Sequence, residues 1–591
     1  NKFIKVIQEK ISVTFLKNTT QILKQYWGYE TFRPQQEAVI DAVLAGNDVL
    51  TLLPTGAGKS LCFQVPNITN GGICVVISPL IALMQDQVKD LLDKNISAVN
   101  LGGQITPDAE ETILNDAKKG KYQFIYCSPE KLAQTNFQSF LAQLNIQLFA
   151  IDEAHCISQW GYDFRPSYRK LDFIKKTFPT IPILAMTASA IPLVQKDMLV
   201  QLGVQDANLI TDQFLRPNLS YQVKKETVKL FVLKNLLKEL TGSVIIYCNT
   251  RNNVAQLNSM LCSYGFNVAG YHAGMELHER KKVQEDWMQD NTQVIISTSA
   301  FGMGINKTNV RAVIHFDIPG SIEQYYQEAG RAGRDGLPAK AILLYQQNDL
   351  DYWNQLQEKK IPPIAVIKKV FQNLADFVQL PVGMGELQQF LFDFESFCMQ
   401  FKWDKIIARN ALQWIEQEGH VKFAPSSFKP TLVQVIENRI SIQLFEKQYP
   451  ETGFVLQTLL RTYGGILDSP QYINEGVLAK LLQRDIEFVQ TQLNQLQQYG
   501  MISLEQKANQ PIVQFKWNRA SAEFMTLNLD EYQARKLAFE DRIQAMRDYI
   551  GSRLVTCRNV FLAKYFGEKA PQSCGICDLC ITNKHSLTNK H

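Results

Sequence analysis

The chain is predicted to be an α/β protein with two parallel-sheet lobes, followed by helical and winged-helix domains and a C-terminal helical module built round cysteines. Three observations predict this. From about residue 20 to 350, short apolar strands such as Ile73-Cys74-Val75-Val76-Ile77, Val244-Ile245-Ile246-Tyr247, Val294-Ile295-Ile296 and Ala312-Val313-Ile314 alternate with helical patterns, the signature of parallel sheet. Beyond residue 350 the alternation stops and glutamine-rich amphipathic patterns take over. Near the end, Cys557 is followed by the tight run Cys574-Gly575-Ile576-Cys577-Asp578-Leu579-Cys580, whose thiolates can converge on one tetrahedral ion.

In the first lobe, the apolar stretch Asp48-Val49-Leu50-Thr51-Leu52-Leu53 runs into Pro54-Thr55-Gly56-Ala57-Gly58-Lys59-Ser60 and then Leu61-Cys62-Phe63-Gln64. Strand, glycine-bearing loop, helix describes a phosphate cradle running through Thr55. Gly56 and Gly58 let backbone N–H groups turn toward phosphate oxygens, and the helix N-terminus adds partial positive charge. Lys59 supplies a point charge and Ser60 a hydroxyl for Mg2+. Leu53 stands where the usual pattern has glycine, and a Gly-Lys-Ser triplet alone also suits an ordinary helix N-terminus. The second element removes that ambiguity. Leu148-Phe149-Ala150-Ile151 reads as a buried strand with Asp152-Glu153 at its carboxyl end, where an open parallel sheet places its chemistry. Asp152 is expected to hold the magnesium, and Glu153 to orient or deprotonate the attacking water. The third element, Gln327-Glu328-Ala329-Gly330-Arg331-Ala332-Gly333-Arg334, supplies guanidinium groups. Read as helix, Arg331 and Arg334 share a face with Gln327 one turn back, suited to stabilising transition-state charge from another lobe.

With these residues in place, the region from about 20 to 350 resembles the RecQ family of DNA helicases. The run Ile151-Asp152-Glu153-Ala154-His155-Cys156-Ile157-Ser158-Gln159-Trp160-Gly161-Tyr162-Asp163-Phe164-Arg165-Pro166 looks like that family's helicase box and aromatic-rich loop, with Tyr162 where histidine is frequent. The resemblance implies RecA-like lobes, His155 in the catalytic set, and DNA contacts from Trp160, Phe164 and Arg165. Gly28-Tyr29 and Phe32-Arg33-Pro34-Gln35-Gln36 resemble the adenine-reading segment, which implies ATP: Tyr29 against the base, Arg33 and Gln36 in contact with it. Without the family this stretch reads as a helix start with Pro34 in its first turn. Ser78-Pro79-Leu80-Ile81-Ala82-Leu83-Met84 and Tyr126-Cys127-Ser128-Pro129-Glu130-Lys131-Leu132 are similar to loops that grip the sugar-phosphate backbone, implying DNA contacts at Ser78 and Pro79. Thr187-Ala188-Ser189 resembles the segment coupling hydrolysis to lobe movement, and matching segments follow at Tyr247-Cys248-Asn249-Thr250-Arg251, Tyr271-His272-Ala273-Gly274-Met275 and Thr298-Ser299-Ala300-Phe301-Gly302-Met303-Gly304-Ile305-Asn306-Lys307.

Composition fits and excludes. A chain of 591 residues with 46% apolar residues holds several buried cores. A net charge of only +4 rules out a polybasic coat, so any nucleic-acid grip must be local. No stretch approaches the roughly 18 apolar residues of a membrane span and the N-terminus has no secretory h-region; a soluble, cytoplasmic, chromosome-associated bacterial protein is expected, without membrane partners. Asn1 is not an initiator, so the numbering is expected to begin at a trimmed or processed end.

The expected domains are lobes at 1–215 and 216–350, a helical and winged-helix-like region at 351–455, a winged-helix-like domain at 456–528, and a zinc module with tail at 529–591. Two stretches carry the winged-helix plan: Asp404 to Glu418 with the strand His420-Val421-Lys422-Phe423, and Asp485 to Gln498 with Met501-Ile502-Ser503-Leu504, a turn through Asn509-Gln510-Pro511, and Ile512-Val513-Gln514-Phe515. In the second, two strands are expected to pair as a wing. Duplex-DNA binding and a plain helical spacer both suit them.

Cys557, Cys574, Cys577 and Cys580 are the expected metal ligands. The family's zinc module, with Cys557-Arg558 and Tyr565-Phe566-Gly567-Glu568, implies structural Zn2+; an iron–sulfur cluster is the alternative. Disulfides are not expected inside a cell, and the other seven cysteines read as core residues. A helix over 529–555, apolar at Phe539, Ile543, Met546 and Ile550, is expected to pack the module. In the best-known family layout the zinc module follows the lobes directly; here about 200 residues intervene, and a terminal helical nucleic-acid-binding domain is not expected after it.

Together these point to an ATP-dependent DNA helicase, for which the RecQ resemblance implies 3′-to-5′ polarity, a role in repair and recombination, and single-stranded and duplex DNA as partners. Oligomeric state is left open, with function as a monomer expected. The alternatives are an RNA helicase or non-unwinding translocase and, from another class, an inactive DNA-binding scaffold.

Overall fold

Strands that are apolar on both faces need cover on both faces, and the first two sheets have it. The computed structural model describes residues 19–588 apart from 55, 104, 106, 162–164, 303–304, 306, 425–430, 468–469, 474, 507–510, 520–524 and 552–553. Thr55, Phe164 and the turn at Asn509 therefore lie outside the described residues. The chain divides into two units, one taking residues up to Leu356 together with Asp530 onward, the other Gln357–Leu529.

The first unit opens with helix α1 (Pro34–Leu44), whose first turn holds Pro34 and in which Gln36 Oε1 accepts from the Arg33 N–H at 3.0 Å. Strand β1 (Val49–Leu52) leads through the glycine loop into α2 (Leu61–Asn70). Strands β2 (Ile73–Ile77), β3 (Ala98–Asn100), β4 (Phe124–Cys127), β5 (Ile146–Ile151), β6 (Ile183–Thr187) and β7 (Asn208–Thr211) complete a parallel sheet in the order β3-β4-β2-β5-β6-β1-β7. Alternation decides which core each side chain enters: Ile73, Val75 and Ile77 join one cluster, Cys74 and Val76 the other. The second parallel sheet holds β8 (Leu219–Lys225), β9 (Ser243–Tyr247), β10 (Val268–Tyr271), β11 (Val294–Ser297), β12 (Val310–His315) and β13 (Ala339–Tyr345), ordered β10-β11-β9-β12-β13-β8. Between β12 and β13 lies α3 (Ile322–Ala329).

In the second unit, α4 (Lys405–Gln417) is capped by Asp404 and α5 (Ile486–Gln498) by Asp485. Strands β14 (Gln389–Leu391), β15 (Val421–Ala424), β16 (Thr431–Val435), β17 (Gln471–Ile473), β18 (Ile502–Gln506) and β19 (Ile512–Phe515) form two antiparallel sheets, β14-β19-β15 and β17-β16-β18. The expected wing is therefore corrected: β18 and β19 belong to different sheets. Their side chains choose different cores. Ile502 pairs with Val435 over a cluster including Leu493 and Leu496, whereas Phe515 packs edge-on to Phe390 and beside Phe371.

The chain re-enters the first unit along α6 (Leu529–Ile550), shorter than expected, then α7 (Arg558–Tyr565) and α8 (Asp578–Thr588). Ile543, Met546, Ile550 and Leu562 are buried in the cluster that holds Val75 of the first lobe and Ile245 of the second, with Phe539 half-buried against it. Six of the seven remaining cysteines are buried as expected, but Cys262 is exposed because it lies on the outer face of the helix Arg251–Ser263.

Candidate nucleotide cleft and metal centre

The carboxyl ends of β5, β6 and β1 stand side by side, so one sheet edge collects the acidic pair, Thr187 and the glycine loop. Gly56 and Gly58 have φ of +83° and +75°, a left-handed backbone that glycine adopts without a Cβ clash. Gln36 Nε2 donates to the carbonyls of Ala57 at 2.8 Å and Gly58 at 3.2 Å, and Arg33 Nη1 to Gly56 at 3.1 Å. Both therefore shape the cradle directly, while Tyr29 is exposed ahead of α1. Ser60 Oγ accepts from Gln87 at 3.4 Å.

Glu153 is held in a left-handed conformation, φ 47° and ψ 44°, which costs a non-glycine residue on the order of 1–2 kcal/mol. Its N–H donates to Asp152 Oδ1 at 3.0 Å, and the Tyr168 hydroxyl donates to the Asp152 carbonyl at 3.0 Å. Burial, followed by the adjacent Glu153 charge, raises the Asp152 carboxyl above its ordinary range, with Lys59 opposing. Burial also acts upward on Glu153, but Lys59, His155, Arg331 and Arg165 outweigh it and hold that carboxyl low. His155, 2% exposed, places Nδ1 2.8 Å from Thr187 Oγ1 and 3.3 Å from Glu153 Oε2. A carboxylate kept ionised and an imidazole linked to the neighbouring strand can orient water. Ser60 and Asp152 are hard oxygen donors of the kind magnesium takes, so the residues fit that ion.

The arginines are not helical. Helix α3 stops at Ala329, and Arg331 and Arg334 lie in the turns after Gly330; the expectation of one shared helical face is corrected. Gly330 caps the helix, and Gly333 lies beyond it at φ +61°. Arg331 donates to Gly302 and Arg334 to Ile305, both carbonyls. Arg334 reaches the first lobe: a Cβ built on Gly56 would stand 3.1 Å from its Cγ. Burial, then Arg331 and Arg216, depress the Arg334 guanidinium to about 9, so it remains a cation awaiting an anion. Gln327, on α3, donates to Ser189 Oγ across the lobes at 3.0 Å.

Arg216 and Asn218 were not singled out from the sequence. Arg216 Nη2 donates to the carbonyls of Ala332 and Gly333 at 3.0 Å each, and Nη1 to Gly330 at 3.4 Å. Asn218 donates to Gly333 at 2.7 Å and Leu337 at 2.9 Å. The segment joining the lobes thus clamps the arginine turn. A cleft of about 250 Å³ lies there, lined by Arg33, Gly56, Arg216, Asn218 and Arg334 among others. Three guanidinium groups suit a polyphosphate. Asp212 also lines the cleft, whereas Lys59, Asp152 and Glu153 do not.

Two of the nucleic-acid candidates, Arg165 and Pro79, meet. Arg165 Nη1 donates to the Pro79 carbonyl at 3.4 Å and its N–H to Cys156 at 3.0 Å. Trp160 is half-buried against the main core. Ser78 is buried, 2% exposed.

The Sγ atoms of Cys557, Cys574, Cys577 and Cys580 all lie within 4.8 Å of one another. Cys557 and Cys574 are 3.4 Å apart, Cys577 and Cys557 3.9 Å, near the roughly 3.8 Å edge of a tetrahedron with 2.3 Å metal–sulfur bonds. Backbone N–H groups of Cys574, Cys577 and Cys580 donate to these sulfurs, as thiolates require. The set fits a single ion. Asp578 ties it to the second lobe, accepting from Arg558 Nε at 2.7 Å and from the N–H of Val223 on β8 at 2.9 Å.

Four family models match in order: DEAD/DEAH box helicase at 33–197, helicase conserved C-terminal domain at 228–336, RecQ helicase winged-helix domain of Bacteroidota at 433–506, and RecQ zinc-binding at 519–581. The winged-helix match straddles the boundary expected at residue 455. Fold and cleft define the class, two RecA-like parallel-sheet lobes with a glycine loop at the carboxyl edge of the first. The chain belongs to the RecQ family of helicases. It is 42% identical over 361 residues to the ATP-dependent DNA helicase RecQ of Haemophilus influenzae, covering 61% of this chain and 58% of that one. The protein of the same name from Pasteurella multocida is 43% identical, covering 62% and 58%, and that of Bacillus subtilis 40%, covering 57% and 57%. The chain thus spans little more than half the length of these relatives. Among solved structures, the DUF1998 helicase MrfA bound to DNA has a TM-score of 0.47 at 18% identity, covering 57% of this chain and 53% of its own, a likeness too slight to argue from. No helix among the described residues is long and apolar enough to cross a membrane.

Proposed function

We propose that this protein is an ATP-dependent DNA helicase, moving 3′ to 5′ along one strand and acting in the cytoplasm in repair and recombination. The observation that carries the reading is Arg334 of the second lobe packed against Gly56 of the phosphate loop. The loop amides and Lys59 hold the β- and γ-phosphates, Arg33 and Gln36 fix the loop from behind while serving the base edge, and Tyr29 lies against the base. Bound magnesium supplies charge neutralisation between phosphate oxygens, and Ser60 and Asp152 would hold it. Glu153 accepts the proton of the attacking water, oriented through His155. Arg331 and Arg334 meet charge that develops on the γ-phosphate, and departure of that phosphate releases the second lobe, with Gln327–Ser189 reporting the change. Trp160, Phe164, Arg165 and Pro79 contact the strand, the aromatics by stacking on bases. The four thiolates hold a structural zinc, since they leave no open position for water.

The test is unwinding of a fluorescent duplex bearing a 3′ or a 5′ single-stranded tail, with Lys59→Ala as control. Unwinding from the 3′ tail alone is expected. ATP hydrolysis without strand separation would overturn the helicase reading in favour of a translocase, and stimulation by RNA alone would overturn the DNA assignment.

A further inference from the structure

The two ends of α6 meet different lobes. Near its start Arg535, 8% exposed, donates from Nη2 to Gln159 Oε1 at 2.7 Å and also to Glu531 one turn back. Arg169 donates to the same Gln159 oxygen at 2.6 Å and lies 4.0 Å from Glu531. Gln159 directly precedes Trp160, in the loop that leaves Glu153 through the short turn Ala154–Ile157. At the other end, the Tyr549 hydroxyl lies 3.2 Å from that of Tyr325 on α3, the helix that runs into the arginine turn. Tyr345 donates to the Ile550 carbonyl at 3.4 Å, and Arg547 Nε to Asn354 at 2.9 Å. At 1.5 Å per residue, Arg535 and Tyr549 are roughly 21 Å apart along the helix. Between them Ile543 and Met546 are buried in the core shared by both lobes, so the helix moves as one body.

The two contacts differ in kind. The Tyr549 end is set among tilted, closely packed aromatics, with Tyr325 and Phe561 rings 5.1 and 5.6 Å away, and is not easily undone. The Gln159 end is a neutral carboxamide shared by two guanidinium groups, each near Glu531. Such a bond is charged on one side only, so it carries less than a bidentate ion pair and can be broken without stranding a second charge.

We propose that α6 is a strut that positions the loop following Glu153, with Arg535 as the positioning residue and Gln159 its partner. A strand entering the loop is felt through Gln159 by the body that also holds α3, and closure of the arginine turn is returned to the loop by the same path. This rests on the reading of that loop as the DNA contact.

The experiment uses the full chain and follows ATP turnover against single-stranded oligonucleotide concentration, beside basal turnover and zinc content. Arg535→Ala is expected to keep its zinc and basal rate while DNA-stimulated turnover falls roughly tenfold, the scale of an ordinary coupling between sites. Gln159→Ala is expected to lose stimulation to the same extent, the double variant no more than either single one, and Arg535→Lys to recover part of it. Should Arg535→Ala lose zinc, Gln159→Ala, which leaves the helix whole, decides the matter. A wild-type protein that ignores DNA overturns the DNA reading and this proposal with it. A responsive wild type with an equally responsive Gln159→Ala, or single effects that multiply in the double variant, overturns the strut alone.

Discussion

Arg216→Ala isolates the clamp on the arginine turn. The guanidinium serves three carbonyls, two at 3.0 Å and one at 3.4 Å. Hydrogen bonds from a charged donor contribute about 1.5–3 kcal/mol each, but Arg216 is only partly buried, so water replaces part of the loss. Asn218 also keeps its bond to Gly333 at 2.7 Å, and the turn is loosened rather than freed. A net loss of about 2 kcal/mol in holding Arg331 and Arg334 corresponds to a roughly 30-fold fall in turnover at 1.36 kcal/mol per decade. The loss falls on a transition-state contact, so kcat is expected to drop while KM for ATP changes less than about threefold. Arg216→Lys is expected to restore little, because an ammonium cannot serve three carbonyls in one plane. The assay is steady-state ATP hydrolysis at saturating DNA, with thermal unfolding as a check on folding. A kcat within twofold of wild type would refute the clamp; a rise in KM alone would show that Arg216 binds nucleotide instead.

Gly58→Ala places a Cβ 2.5 Å from Gln36 Nε2 at a φ of +75°, and is expected to weaken binding of a fluorescent ATP analogue at least tenfold. Cys577→Ser removes a fully buried ligand; elemental analysis is expected to show loss of about one zinc per chain, and chelation of the wild type should lower the melting temperature similarly. Met546→Ala, at a site 0% exposed, is expected to cost about 2–5 kcal/mol, read as a lower urea midpoint.

The parts legible in the sequence are those written in local pattern. Val75 and Val76 fall into opposite cores because strand periodicity is two, and the glycine loop, acidic pair and cysteine run each carry their chemistry within a few residues. The pattern failed where distant partners decide. Arg331 and Arg334 looked helical by spacing, yet the helix stops at Ala329, capped by Gly330, before either is reached. The strands at 502 and 512 looked like one hairpin because they are neighbours in the chain, but their side chains enter different cores. Arg216 acts on carbonyls 114 to 117 positions away and Arg535 on a residue 376 positions away. Side chains that meet over such separations leave no periodicity to read.

The buried residues at 543–566 are part of the cluster that fills both lobes, which sets the order of events during synthesis. A nascent chain that has delivered both sheets still lacks a share of their interior until Phe566 has emerged. At about 5–20 residues per second, the roughly 200 residues after Leu356 impose a delay of some 10–40 seconds. During that interval the surface later covered by Ile543, Met546 and Phe566 stays open to water.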